Sequence, residues 1–543
     1  DFLYQRLAAA QRVRFHKRLA ERLAVAYGEQ SHQVAAELAD HFERGCEYAR
    51  AVRYLDQAAQ NAARHYANRE GVAYLSRALG LVHRLPPSEQ VETRIGLLRR
   101  RALVCSAMND LEAAIADLKV VLNCARERQD KRLEVNSLVD ISRTAQWMDN
   151  RYCLEMATEA EACSRDLEDE SLKMRAQVSC AMTNLRFRGW RQETAASCRS
   201  ALAVIRAAGD PRLINTLRYS HAWMECLSSN YALAREVAEE GMGIARSLND
   251  AGHLMICWWF QLWSLLYLGK LGEARRGLSD ALSMAEKNGN SLGAMGFRLV
   301  LARLHEELLD FDGARGHCAR VLKLVRERRN HTVCSYGLIM SGRAHLGLQD
   351  HRRAYGCFNE ALRLVEGEQG ITDWQLCLPL YQGLAEYWLA QGDLTQAREM
   401  ATKLCAIAAL PPERTYLALG HRLLAEIAIA DRQWDQAETE VAHALTAMRD
   451  AETRSTVWNA YGIAPPDCSS PSAGSATPLA AWRVYATAAK LCERQGRRSE
   501  AEGFRQQSRA LIQQLADSLD ASDPLRESLI AGHERVIKSI ARE

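Results

Sequence analysis

The chain has 543 residues, with 70 Lys and Arg against 67 Asp and Glu and a formal net charge of +3. A balance this close to neutral gives no electrostatic footprint for nucleic acid, and 48% hydrophobic with 25% charged residues excludes a disordered or fibrous chain. The longest apolar run, Leu254 to Leu268, is shorter than the roughly 20 residues a membrane span needs, so no membrane contact is expected.

From the N-terminus, residues 1–46 stand outside the rhythm that follows. FLYQRLAAAQRVRFHKRLAERLAVAYG reads as a basic helix and SHQVAAELADHFERG as a shorter one, with Gly45 as its expected stop. AVRYLDQAAQNAARHY and NREGVAYLSRALGLV then form a first helical hairpin, its tight points Ala51 and Gly71 lying 20 residues apart. The unit that the chain repeats is clearest from Val333 to Val365. It reads as two amphipathic helices joined at Gln349-Asp350, the second striped by Ala354, Phe358, Ala361, Leu362 and Val365. Steps of 40 residues back from Ala354 fall on Ala314, Ala274, Ala234, Thr194, Leu154 and Ala114. The anchors continue at Ala397, Ala437 and Ala501, the last delayed by a surplus of about 24 residues that coincides with GIAPPDCSSPSAGSATP, 462–478. Gly209-Asp210-Pro211 and Gly289-Asn290-Ser291 read as a helix stop followed by a helix start.

A hairpin with one apolar face needs a copy of itself on each side. The expected fold is therefore all-α, a right-handed superhelical solenoid of roughly eleven antiparallel hairpins with about 40 residues per repeat. Residues 1–46 form an N-terminal helical junction, 47–454 the array, 455–480 a flexible insertion, and 481–543 the last repeat with its capping helices. Residues 463–476 are expected to be the most mobile internal stretch, because Pro, Ser and Gly offer little to bury.

No residue set carries an evident chemistry. The pair Gly269-Lys270 lacks the upstream Gly and the Ser/Thr of a phosphate-binding loop, and no GxSxG or HExxH occurs. Neighbouring carboxylates such as Glu239-Glu240 and Glu306-Glu307 are expected to point apart on their helices. The 16 Cys are scattered without a CxxC, and Cys198, Cys318, Cys357 and Cys405 fall on apolar stripes, the pattern of reduced thiols in a cytosolic protein. The 15 His form no cluster with ligand spacing, so no metal site, no cofactor and no catalysis are expected in this chain.

Leu3-Tyr4, Leu7, Arg12, His16, Ala20 and Leu23, followed by ELADHFERG, AVRYLDQAA and YANREGVAYLSRAL, resemble a known junction. It is the one between the NTPase module and the C-terminal tetratricopeptide-like array of bacterial STAND-class signalling ATPases, of the maltose-regulator-like or nucleotide-cyclase-fused type. LADSLDASDPLRESLI is similar to the segment that closes such arrays, with Leu529-Ile530 where Phe-Leu is usual. The resemblance implies a non-catalytic, cytoplasmic region that senses a ligand or protein. It also implies an upstream NTPase and an effector domain in the same polypeptide, with ATP and Mg bound only there. A chain that starts at Asp1 without Met is expected to be a fragment of that longer protein. The alternative is a plain interaction scaffold with no switching role.

In tetratricopeptide repeats the first helix of each hairpin lines a concave groove, and the resemblance of YQGLAEYWLAQGDLTQA, 381–397, to the repeat consensus sets the register. Glu386 then faces the groove, in one column with Trp223, Trp263, Arg303, Arg343 and Glu426, while Tyr219 and Trp259 lie in the column one turn earlier. These eight residues are the candidate site for a peptide, a protein or a small-molecule inducer. The bland alternative is an ion ladder of Arg303, Arg343, Glu386 and Glu426 beside packed aromatics. Trp258 is expected at a packing position.

Overall fold

The 40-residue period resolves into two 17-residue helices and two three-residue turns, as in Ala251–Tyr267, Leu271–Lys287 and Ser291–Glu307. Each turn ends one helix and begins the next with the same few atoms. A residue with positive φ recurs at Asn109, Gln129, Ser229, Gly269, Gly289, Leu309 and Gln349, and it reverses the chain after the last helical turn. The following residue donates its N–H five residues back, as Asp310 does to the His305 carbonyl at 2.8 Å and Asp350 to that of His345 at 2.9 Å. An Asp or Asn at the last turn position often caps the next helix: Asp110, Asp130, Asp250, Asn290, Asn330 and Asp350 each accept from a backbone N–H three residues on, whereas Asn230 donates to Glu225 instead.

The computed structural model describes residues 8–64, 67–209, 211–248, 250–325, 330–366, 372–410, 413–448 and 477–542. Within them lie eleven hairpins, from Tyr48–Arg64 with Asn68–Leu81 to Pro478–Arg494 with Arg498–Asp517, and no strand. The chain is an all-α superhelical solenoid of antiparallel helical hairpins. Ala114, Ala234, Ala274, Ala314, Ala354, Ala397, Ala437 and Ala501 are all 0% exposed, so the small residues at 40-residue steps are the points where the helices of each hairpin meet. The expected mobile stretch 463–476, most of the proposed insertion, and Asp210 of the Gly-Asp-Pro stop lie outside the described residues; Gly209 has the left-handed φ of 72° that a stop requires.

Gly45 stops its helix as expected, but the left-handed turn belongs to the residue after it. The helix Ala35–Arg44 ends at Gly45, but Gly45 has φ −81° and Cys46 makes the left-handed turn at φ 59°. Gly45 is there for space: a Cβ would lie 3.0 Å from the Lys17 backbone nitrogen of the preceding helix.

The solenoid also winds back onto itself. Arg186 meets Asp373, Ser229 and Tyr231 meet Glu413, and Trp374 donates to the Leu185 carbonyl, pairs separated by 182 to 189 residues or between four and five repeats. The turn joining the two helices of one hairpin therefore stacks on the start of a first helix one superhelical turn later. Gly269 packs on Pro478 and Leu515 in the same manner, and Gly272 faces the Ser518 carbonyl so closely that a side chain would collide with it. Single-neighbour packing becomes two-layer packing, and one continuous core runs from Val178 to Leu529.

Candidate functional site

The first helices from Glu170 onward line the inside of the superhelix, and the stacking of successive turns covers them. In the helix Ser291–Glu307 the buried positions include Phe297, Leu299, Val300, Leu301, Arg303, Leu304, Glu306 and Glu307, which fall on every side of the helix. The eight expected groove residues consequently do not line an open channel. Trp223 is 9%, Arg343 5% and Arg303 1% exposed; Tyr219, Trp259, Trp263, Glu386 and Glu426 are half-buried.

Three of the four charged candidates belong to one chain of ion pairs. Arg303 reaches Glu306 at 3.1 Å and Glu307 at 2.5 Å, Arg343 donates to Glu306 at 2.6 Å and lies 3.6 Å from Glu386, and Arg422 closes on Glu386 at 2.9 Å. Arg483, from the last hairpin, joins through Glu307 at 2.7 Å. Glu426 stands in a neighbouring group with Lys490 at 3.1 Å and Thr487 at 2.7 Å. Burial opposes the charge on Glu306, yet the Arg343 and Arg303 guanidiniums hold its carboxyl down at about 2. The pair Glu306-Glu307, expected to point apart, in fact closes on Arg303 from i+3 and i+4.

The aromatics form a second seam. Trp259 stacks on Trp263 at 5.0 Å, Trp263 tilts against Tyr267 at 5.0 Å and Tyr336 at 6.3 Å, and Tyr267 stacks on Tyr231 at 4.6 Å. The seam ends at Glu413, which accepts from the Tyr231 hydroxyl at 2.6 Å and from the Tyr416 backbone N–H at 2.6 Å. Burial raises the Glu413 carboxyl above its ordinary value against the pull of those donors. Trp223 is elsewhere: its indole N–H donates to Gln375 at 3.0 Å and the Arg186 guanidinium lies over its ring. Trp258 meets Phe297 edge-on at 6.4 Å and is half-buried, so it does not differ from Trp263 in enclosure as the repeat register suggested.

Sequence reasoning missed Arg186, Asp373, Glu413, Tyr231, Tyr267 and Tyr416, which act across superhelical turns. Only Arg303 with Glu306 and Glu307 carried a local signal, the i+3 and i+4 spacing. The described cysteines are free thiols, and burial pushes Cys198, Cys226 and Cys377 up to about 12. No described helix is long and apolar enough to cross a membrane. Two groups could offer ligand atoms to a metal: His421, Glu440 and His443, and Glu134, Glu159 and Cys163.

The family described as the MalT-like TPR region matches residues 187–459. No curated protein matches the chain. Among solved structures, the chain is similar to the Rap protein complexed with competence and sporulation factor, at 12% identity over 71% of this chain and 99% of that one, TM-score 0.49. It is also similar to the APC/C hetero-tetramer Cut9-Hcn1, at 12% identity over 96% and 95%, TM-score 0.48, and to yeast Tom70, at 12% identity over 95% and 97%, TM-score 0.31.

Proposed function

The chain belongs to the MalT-like TPR region family, and we propose that it works as the sensing and regulatory region of a multidomain signalling ATPase, without chemistry of its own. The observation that carries this reading is the buried ion chain from Arg303 through Glu306, Arg343 and Glu386 to Arg422, which runs from one first helix to the next along the covered inner face and is joined across the superhelix by Arg483 at Glu307. A buried ion chain adds little net stability over an apolar core and is costly to leave half-paired. A seam of this kind favours two discrete arrangements, paired and closed or opened and rehydrated. Opening would present Trp259, Trp263 and the four charged candidates to a peptide or a small-molecule inducer and pass the change to an upstream NTPase.

Two measurements test the proposal. A phosphate-binding GxxxxGK[ST] in the reading frame upstream of Asp1 is expected; without one, the plain interaction scaffold is the better reading. In the parent protein, Trp263→Ala should weaken partner binding by about 2 kcal/mol or more, the scale of an interface hot spot. Trp223→Ala, at an enclosed position, should instead lower the thermal midpoint. Binding that survives Trp263→Ala unchanged would move the recognition surface off this seam.

A further inference from the structure

We propose that His421, Glu440 and His443 form a binding site for a divalent cation of the zinc class, bridging the two helices of the hairpin Arg414–Ala430 and Trp434–Met448. His421 Nδ1 lies 2.7 Å and His443 Nδ1 3.9 Å from Glu440 Oε2, and one ligand atom of each residue falls within 4.8 Å of the others. Tetrahedral zinc with bonds of about 2.0–2.1 Å holds its ligands about 3.3 Å apart, a separation that the two observed distances bracket. Small rotations of the imidazoles complete the set.

The elements present these atoms without strain. Glu440 and His443 are three residues apart and share one helical face, and the facing helix supplies His421. Side-chain exposure rises from 15% at Glu440 and 21% at His421 to 56% at His443, which leaves one open side for entry and for a water as fourth ligand. Among the described residues no Arg or Lys is paired with Glu440. The group of Glu134, Glu159 and Cys163 is different, because Lys131 and Arg126 already neutralise its carboxylates. Two imidazoles and one carboxylate, each giving a single atom, are the donor set that borderline divalent cations prefer over Mg and Ca.

A bound cation would pin Arg414–Ala430 to Trp434–Met448 in the hairpin that carries Ala425, Ala428 and Val441 against Ala488 and Leu491 of the helix Pro478–Arg494. It would fix the register of the last repeats independently of whether the inner seam binds a partner. The test is a titration of the untagged chain with ZnCl2, followed by calorimetry and by the thermal midpoint. One saturable equivalent, a higher midpoint, and at least a tenfold loss of affinity in His421→Ala, Glu440→Gln and His443→Ala are expected. His443 is exposed, so His443→Ala folds regardless of the outcome for the other two. No saturable binding, or equal affinity in wild type and His443→Ala, would overturn the site.

Discussion

Between Tyr48 and Ser164 three hairpins bury their stripes in separate clusters: Ala20 to Leu97, Ile95 with Leu98 and Val121, and Ala102 to Ala176. From Val178 to Leu529 the same kind of hairpin contributes to one large cluster, with smaller ones beside it such as Met295 to Val333 and Ala425 to Leu491. The repeat is the same in both regions, and only the second layer differs. In the first region the reach across the superhelix is mostly polar, as Asn68 to the Asn288 carbonyl at 2.8 Å and Asn330 to Asn109 at 2.8 Å, with Trp147 against Met295, Leu299 and Val333 as its apolar part. In the second it includes the buried pairs of Arg186 with Asp373 and Arg483 with Glu307, and the hydroxyls of Tyr231 on Glu413 and of Tyr267 on Tyr416. A solenoid held by nearest neighbours loses stability repeat by repeat, whereas one that stacks on itself couples distant repeats.

The strongest way to break the contrast is to remove one guanidinium from each region. Arg303→Ala leaves the buried carboxylates of Glu306 and Glu307 with only Arg343 and Arg483 as partners and should cost about 3–5 kcal/mol in urea unfolding. Arg126, paired with Glu134 and Glu159 but 43% exposed, should cost only about 0–1 kcal/mol as Arg126→Ala. Similar losses at both sites would mean that the inner seam is not closed in solution.

Acid should act on the same seam. The Glu306 carboxyl is depressed from 4.5 to about 2 in the folded chain. A depressed carboxyl contributes stability above its unfolded value, and the contribution is lost as the pH falls through the window from 4.5 to about 2. Glu413, raised by burial, works in the opposite direction and does not share this loss. Glu306→Gln should therefore flatten the acid limb of the stability profile by on the order of 2–3 kcal/mol. An acid limb identical to wild type would show that Glu306 is not ionised in the fold.

The stacking can also be tested by a single methyl group. Gly272→Ala pushes a Cβ into the Ser518 carbonyl, which is backbone and cannot rotate away, so a loss of about 1–3 kcal/mol is expected. Gly80 is exposed in the helix Asn68–Leu81, and a Cβ there would meet nothing within 4 Å, so Gly80→Ala should gain about 0.5 kcal/mol. Opposite signs in the two variants sharpen the comparison; a tolerated Gly272→Ala would erase it.

What the sequence disclosed follows the same division. The 40-residue anchors and the Asp and Asn caps are local, fixed by helix length and turn chemistry, and they were legible residue by residue. The column of Trp223, Trp263, Arg303, Arg343 and Glu386 was legible as one helix face. That the face is closed was not, because closure depends on small rotations summed over four to five repeats. No local pattern pairs Arg186 with Asp373, 187 residues away. His421 with Glu440 and His443 is an intermediate case: a search for ligands within one helix misses it, while the hairpin register brings it together.

The smallest effect concerns the joint between the two regions. Asn330, 1% exposed, accepts the Val333 N–H at 3.0 Å through Oδ1 and donates through Nδ2 to Asn109 Oδ1 at 2.8 Å. Asn109 is 2% exposed and holds φ 59°, so it serves at once as a left-handed turn and as an acceptor. Asn330→Ser keeps the cap, since serine caps about as well as asparagine, but it is too short to reach Asn109. The substitution should cost about 1 kcal/mol, the net worth of one buried hydrogen bond. Asn109→Gly removes the acceptor while easing the left-handed turn. A double-mutant cycle on the two positions cancels the turn effect and the cap, leaving the bond alone at about 1 kcal/mol of coupling. Zero coupling would mean that this bond does not tie the first three hairpins to the stacked region and that the other cross-links, such as Asn68 to the Asn288 carbonyl and Thr332 to the Gln146 carbonyl, carry the joint.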